Sequence, residues 1–120
     1  MVMDTAALRR FVEEVAAPLG LPVLAGVFLL KSARNARFIN RVVPGANIPE
    51  PLIERLEAAA DPAAEGIAIA AEQVAAYRQL AQGVHLMAVK AEERIPEILR
   101  QAGIPALPTE PLPIEPLAKV

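Results

Sequence analysis

The run Pro22-Val-Leu-Ala-Gly-Val-Phe-Leu-Leu30 carries neither a charge nor a polar side chain. Extended back to Leu19 it is the longest apolar stretch of the chain, still far short of the roughly 20 residues a membrane-crossing helix needs, and Gly20, Pro22 and Gly26 interrupt it. A continuous apolar segment of this length, with Gly20 and Pro22 closing off what precedes it, reads as a strand buried on both faces, the habit of parallel sheets covered by helices.

Downstream, Ser32 is placed to cap a helix over Ala33–Val42 whose sparse apolar side is Ala36, Ile39 and Val43, and Pro44-Gly45 ends it. Pro49 and Pro51 suit the first turn of another helix, with Leu52, Ile53 and Leu56 facing inward. Asp61-Pro62 opens a longer helix reaching about Gln82, with Ile67, Ala70, Ala71, Val74 and Leu80 as its inner face and Gly83 as its stop. Val84–Val89 reads as a second short buried strand, and a helix follows around Ile95–Ala102, where Pro96 fits only near the first turn.

Upstream, Asp4 can cap a helix in which Leu8, Phe11, Val12 and Val15 form one stripe opposite Arg9, Arg10, Glu13 and Glu14. Val2-Met3 is at most the stub of a further strand. The order of elements is the grammar of βα units, so the class is α/β with two parallel strands and helices over residues 1–103. From Ile104, prolines 105, 108, 111, 113 and 116 exclude helix and favour an extended tail over 104–120. Two strands leave open sheet edges, which calls for cover by another chain or a second copy of this one.

Composition narrows the chemistry. The chain has no cysteine and one histidine, His85, which excludes disulfides, thiolate nucleophiles and Cys-containing zinc sites and argues against any metal centre. A net charge of -2 and 3% aromatic residues give no footprint for nucleic acid. No stretch spans a membrane, and the N-terminus, with Asp4 ahead of Arg9 and Arg10, lacks a secretory pattern, so the expected location is cytoplasmic. Glu13/Glu14 and Glu92/Glu93 are helix neighbours pointing about 100° apart and form no acid–base couple. His85 faces away from Val84 and Leu86, where a hydrogen-bonded structural role is the ordinary reading. The Pro-x-x-Pro spacings, Pro105/Pro108 and Pro113/Pro116, read as an uncommitted tail.

The segments Pro22-Val-Leu-Ala-Gly-Val-Phe-Leu-Leu30, Ser32-Ala-Arg-Asn-Ala-Arg-Phe38 and Val43-Pro-Gly-Ala-Asn-Ile-Pro49 resemble the seventh strand and following loop and helix of methylenetetrahydrofolate reductases. Gly66-Ile-Ala-Ile-Ala70 resembles that family's next helix and Gly83-Val-His-Leu-Met-Ala88 its eighth strand, while Val2-Met3-Asp4 with Leu8 to Phe11 is similar to the end of the sixth strand and its helix. The resemblance implies the C-terminal portion of a (β/α)8 TIM-type barrel. It also implies FAD as cofactor, NAD(P)H as reductant and reduction of 5,10-methylenetetrahydrofolate to 5-methyltetrahydrofolate.

In such barrels ligands sit at the C-terminal ends of strands. By resemblance Asn35 falls at a polar substrate contact, Phe38 near an aromatic against folate, and Lys90 near a basic residue that meets the folate glutamate tail. Each also has an ordinary reading: Asn35 in a turn or cap, Phe38 as an apolar anchor of its helix on the sheet, Lys90 as a solvated residue after a strand. The family's proton-donating glutamate, flavin-contacting aspartate and phosphate-binding loops belong to strands with no counterpart here, so no catalytic residue is assigned. The expectation is a truncated or split reductase, inactive alone and completed by another chain; a self-associating, non-enzymatic α/β module and an inert fragment are the alternatives.

Overall fold

The structure is a computed structural model and describes residues 1–106. The Asp4 carboxylate accepts the N–H groups of Ala6 and Ala7 at 2.9 and 3.2 Å and starts α1 (Thr5–Phe11) where a cap is expected. The helix then widens into π turns over Val12–Ala16. Leu8 and Ala16 are buried, but Phe11 and Val15 are nearly half exposed. The expected apolar stripe is thus corrected: α1 packs on one side, mainly against the long helix α4 (Pro62–Leu80), and the flank carrying Phe11 and Val15 has no cover among the described residues.

Strands β1 (Leu24–Phe28) and β2 (Gly83–Met87) are parallel, paired from Leu24↔Gly83 to Phe28↔Met87. Both are shorter than the apolar runs that announce them. Nor is β1 buried on both faces: Ala25 and Val27 are sealed, whereas Leu24 is 72% exposed. Alternation explains the split. Ala25 and Val27 stand level with Val84 and Leu86 in the core that α4 covers, while Gly26, level with His85, meets only Met87 and the chain start: a methyl on Gly26 would lie 3.4 Å from Met1 Cα. His85 does face away from Val84 and Leu86, but it is exposed and its ring makes no hydrogen bond among the described residues, which overturns its reading as a hydrogen-bonded structural side chain.

Val23 O accepts from Gln82 and Gly83, and Leu29 N–H donates to Met87 O, so odd-numbered positions of β1 address β2. Gly26 O points to the other edge and accepts the Val2 N–H at 2.8 Å. Val2-Met3 is accordingly no strand, but a bonded stub beside β1, held further by the Tyr77 hydroxyl, which donates to Val2 O at 3.1 Å.

The crossover between the strands contains α2 (Ala33–Val42), α3 (Glu50–Ala58) and α4. Ser32 Oγ accepts the Asn35 N–H at 3.0 Å and caps α2 as expected. Ala36 and Ile39 are buried; Val43 is exposed, because the chain leaves the helix there in extended backbone. Asn40 closes the following loop by accepting from Ile48 N–H and donating to Ile48 O.

On α4, Ile67, Ala70, Ala71 and Val74 are buried as expected, and so are Gly66, Ile69, Gln73 and Tyr77. A helix wrapped on several sides does not show a single apolar stripe. Leu80 is its last residue and only half-buried; Gly83 is the first residue of β2 rather than a helix stop, since pairing of Gln82 and Gly83 with Val23 has already drawn the chain into the sheet.

The core has two parts. One joins Ala25, Val27 and Leu29 to Leu8, α4 and Ile98; the other joins Leu30 to Ala36, Ile39, Ile48, Ile53, Leu56 and Ile69. Gly66 sits between them. A Cβ there would lie far inside van der Waals contact with Leu30 O and 3.0 Å from its carbonyl carbon, so only glycine lets α4 lie this close to the end of β1. Gln73 is buried with Nε2 donating to Met3 Sδ, leaving its Oε1 without a partner. After a short turn at Glu92–Arg94, α5 (Ile95–Gln101) carries Pro96 in its first turn and buries Ile98; Ile104 N–H then bonds Leu99 O. The tail prolines 108, 111, 113 and 116 lie outside the described residues.

Candidate functional site

The C-terminal ends of the two strands lie side by side, and the loops leaving them are Leu29-Leu30-Lys31-Ser32 and Ala88-Val89-Lys90-Ala91. Lys31 ties the two together. Its N–H donates to Asn35 Oδ1 at 3.2 Å, and its Nζ reaches across to donate to Val89 O at 2.6 Å. Sequence reasoning passed over Lys31; the one available signal was its place as the first charged residue after a buried strand.

Asn35 therefore has the turn role of its ordinary reading, yet its Nδ2 keeps no partner among the described residues. Phe38 is not a core anchor. The ring is 50% exposed, on the side of α2 opposite Ala36 and Ile39, with the Arg41 guanidinium 5.6 Å above its centroid. The core position was legible in the helical spacing, but Ile39 takes it. Lys90 is exposed in left-handed backbone (φ 55°), its N–H donating to Glu92 Oε1 at 3.3 Å. A positive φ in a non-glycine residue carries a conformational cost, and here it turns the chain sharply out of β2.

The three residues do not share one cavity. Asn35 and Phe38 line a groove of about 780 Å³ with Ser32, Arg34, Arg37 and Arg41. Lys90 lines a smaller recess of about 220 Å³ with Lys31, Ala91, Glu93 and Arg94, backed by Ile67. Lys31 is the link, bonded to Asn35 on one side and to the residue before Lys90 on the other. Arg37 is anchored by Glu57 at 3.0 Å and Glu50 at 3.2 Å, and hydrogen bonds to these carboxylates raise its pKa above the ordinary guanidinium value. Arg34, Arg41, Lys31 and Lys90 form no ion pair among the described residues, so both cavities are net cationic and suited to anionic groups.

No group of metal-ligating side chains occurs among the described residues, and no described helix is long and apolar enough to cross a membrane. Neither strand-end loop contains glycine, and the glycines with positive φ (20, 45 and 103) stand singly in turns. A dinucleotide pyrophosphate is cradled by closely approaching backbone N–H groups, and these loops provide no such cradle. The described residues do not fit FAD by themselves.

Residues 1–103 match the protein-family model for methylenetetrahydrofolate reductase, covering both strands, all five α-helices and both cavities. This chain belongs to the methylenetetrahydrofolate reductase family. Comparison with curated proteins and with solved structures gives no match. Family membership connects the chain to folate-related reductases, which are oxidoreductases.

Proposed function

We propose that these residues form the last βα units of a methylenetetrahydrofolate reductase (β/α)8 barrel and contact the folate substrate during reduction of 5,10-methylenetetrahydrofolate to 5-methyltetrahydrofolate. The observation that carries the reading is the family match over residues 1–103, joined to loops that present Asn35, Phe38 and Lys90 beyond the C-terminal ends of adjacent parallel strands, the end where barrels of this kind bind ligands.

In this reading Asn35 Nδ2 donates to a polar atom of the folate, the open face of Phe38 meets an aromatic part, and the Lys90 ammonium meets a carboxylate. Lys31 is a positioning residue that fixes the spacing of the two loops. The FAD site and the position for NAD(P)H are built by sequence outside these 120 residues. The edge of β2 that has no strand beside it among the described residues, together with exposed Leu24, Phe11 and Val15, is where adjoining barrel units would pack. The compartment proposed is the cytoplasm.

The test is reconstitution. The chain is titrated with FAD alone and after mixing with a family segment carrying the first six strands, and flavin absorbance and NAD(P)H-dependent formation of 5-methyltetrahydrofolate are followed. Flavin retention and turnover only in the mixture are expected; a mixture that holds no flavin overturns the reading. The exposed apolar flank also favours a second reading, a self-associating module without activity, and sedimentation of the chain alone as a stable oligomer, with no flavin in any mixture, would establish it.

A further inference from the structure

We propose that residues 109–115 of the chain's own tail pair in parallel with the open edge of β2 and stand as a third strand of the sheet. The segment lies beyond the described residues, while the edge it takes is within them.

The hydrogen-bonding groups of a strand alternate between its two neighbours. Gly83 N–H donates to Val23 O and Met87 O accepts from Leu29 N–H, so Gly83, His85 and Met87 address β1. Val84 and Leu86 therefore direct their N–H and C=O groups to the other side, where no strand lies among the described residues. The strand Gly-Val-His-Leu-Met has no lysine, glutamate or proline to blunt that edge.

α5 returns the chain to the start of this edge. Leu99 and Ile104 line a groove of about 320 Å³ together with Gly83, Val84 and Leu86. Gly103, in left-handed backbone (φ 79°), makes the turn after α5, and the bond from Ile104 N–H to Leu99 O fixes it. From Ala106, the last described residue, the chain to Thr109 reaches about 10 Å. A strand begun there runs alongside β2 in the same direction, and β2, α5 and the tail make one more βα unit.

The tail sequence suits that place. Between Pro108 and Pro116 it reads Thr109-Glu110-Pro111-Leu112-Pro113-Ile114-Glu115, and its two prolines share one parity. Proline is tolerated in an edge strand where the missing N–H faces away from the sheet. Pro111 and Pro113 then face outward together, while Glu110, Leu112 and Ile114 turn N–H and C=O toward Val84 and Leu86. Pro108 and Pro116 have the opposite parity and bound the paired stretch. The outward prolines also leave the new edge without donors at two positions, so the sheet stops at three strands. A second copy of β2 can pair with the same edge, but it must be captured from solution. The tail is tethered beside it, at an effective concentration on the order of millimolar.

This edge is also the place given above to an adjoining barrel unit, so tail and unit exclude each other, and the tail is a placeholder that the unit displaces. The pairing itself belongs to the chain alone and is tested there, independently of any reconstitution.

The test is amide hydrogen exchange of the full chain in ¹H–¹⁵N spectra, with backbone nuclear Overhauser contacts. His85 and Met87 donate to β1 in any case and serve as the internal reference. The expected result is protection at Val84 and Leu86 within about tenfold of that reference at every protein concentration, with contacts between residues 84–86 and 110–114. Leu112→Pro, which removes an inward donor, should lower the protection of Val84 and Leu86 at least about tenfold, and Pro113→Ala, on the outward parity, should leave it unchanged. Unaltered exchange at His85 and Met87 will show that both variants keep the fold.

Val84 and Leu86 exchanging as free amides beside a protected His85 and Met87 overturns the proposal. So does protection that rises with concentration and survives Leu112→Pro, which assigns the edge to a second copy. Equal loss of protection in Pro113→Ala and Leu112→Pro overturns the parity on which the pairing rests.

Discussion

Among the six glycines, Gly66 is where an added methyl should do the most damage. On propensity alone the change favours an α-helix interior by about 1 kcal/mol. The structure reverses the sign. The new Cβ would fall on Leu30 O and stand 3.0 Å from Leu30 C, where carbon–carbon contacts are ordinarily about 3.5–4.0 Å. Both atoms are backbone, so no side-chain rotation gives way, and either α4 or the end of β1 must shift. That shift opens the contact on which Ile67 in one part of the core and Ile69 in the other depend. Overpacking of this kind costs roughly 1–3 kcal/mol and sometimes more, and with both parts disturbed a net loss of about 3 kcal/mol is expected after the propensity gain. At about 4–8 °C per kcal/mol for a domain of this size, the midpoint falls by roughly 12–24 °C. The assay is thermal and urea unfolding by circular dichroism, with Gly83→Ala as the control. The Cβ at residue 83 meets only Leu24 Cδ2 at 2.6 Å, the tip of an exposed side chain that can rotate, so that variant should stay within about 0.5 kcal/mol of the parent. A Gly66→Ala protein as stable as the parent would refute the close approach of α4 to β1.

Four further outcomes follow from particular contacts. Gln73→Met removes the unpartnered Oε1 while keeping the length of the side chain, and should raise stability by about 1 kcal/mol in urea unfolding; a loss of that size would mean the amide is satisfied. Arg55 spans Glu65 at 2.6 Å and Glu72 at 2.7 Å but is over a third exposed, so Arg55→Met should cost only about 0.5–1 kcal/mol, shrinking in 1 M salt. Tyr77→Phe leaves Val2 O without its donor at a cost of about 1 kcal/mol, and should speed amide exchange at Val2. Hydrogen bonds from Arg100 and Gln101 hold the Glu97 carboxyl down at about 2, against 4.5 ordinarily. Because the folded value is the lower one, this contribution to α5 is present above about pH 4.5 and is lost as pH falls toward 2. A carboxyl ¹³C titration of Glu97 with its midpoint near 4.5 would contradict it, and Arg100→Ala should move the midpoint in that direction.

The elements governed by local chemistry were legible from sequence. Asp4, Ser32 and Asp61 cap where their side chains can reach a free N–H, and Pro51, Pro62 and Pro96 each fall in a first turn. Faces governed by distant neighbours were less so. Phe11 and Phe38 fit apolar spacing as well as Leu8 and Ile39 do, and only the placement of α4 and α3 decides which member of each pair is buried. The burial of Tyr77 and Gln73 was hidden for the same reason: both contact the first three residues of the chain, some seventy positions away. At the candidate site, Asn35, Phe38 and Lys90 came from likeness to a family. Lys31 could not, because its role is a reach of 58 positions to Val89 O that no local pattern encodes.

The pairing of Val23 with Gln82 spans 59 positions and gives the sheet an order of assembly. Neither strand has a partner nearby in the chain, and loop-closure entropy opposes their meeting until the intervening helices have shortened the path. α4 is the element that touches β1, β2, α1, α3 and α5 alike, so its docking is the event after which the strands can zip. During synthesis α4 can thus cover Ala25 and Val27 before β2 exists, whereas the backbone edge of β1 that β2 takes stays open until residues 83–87 have left the ribosome.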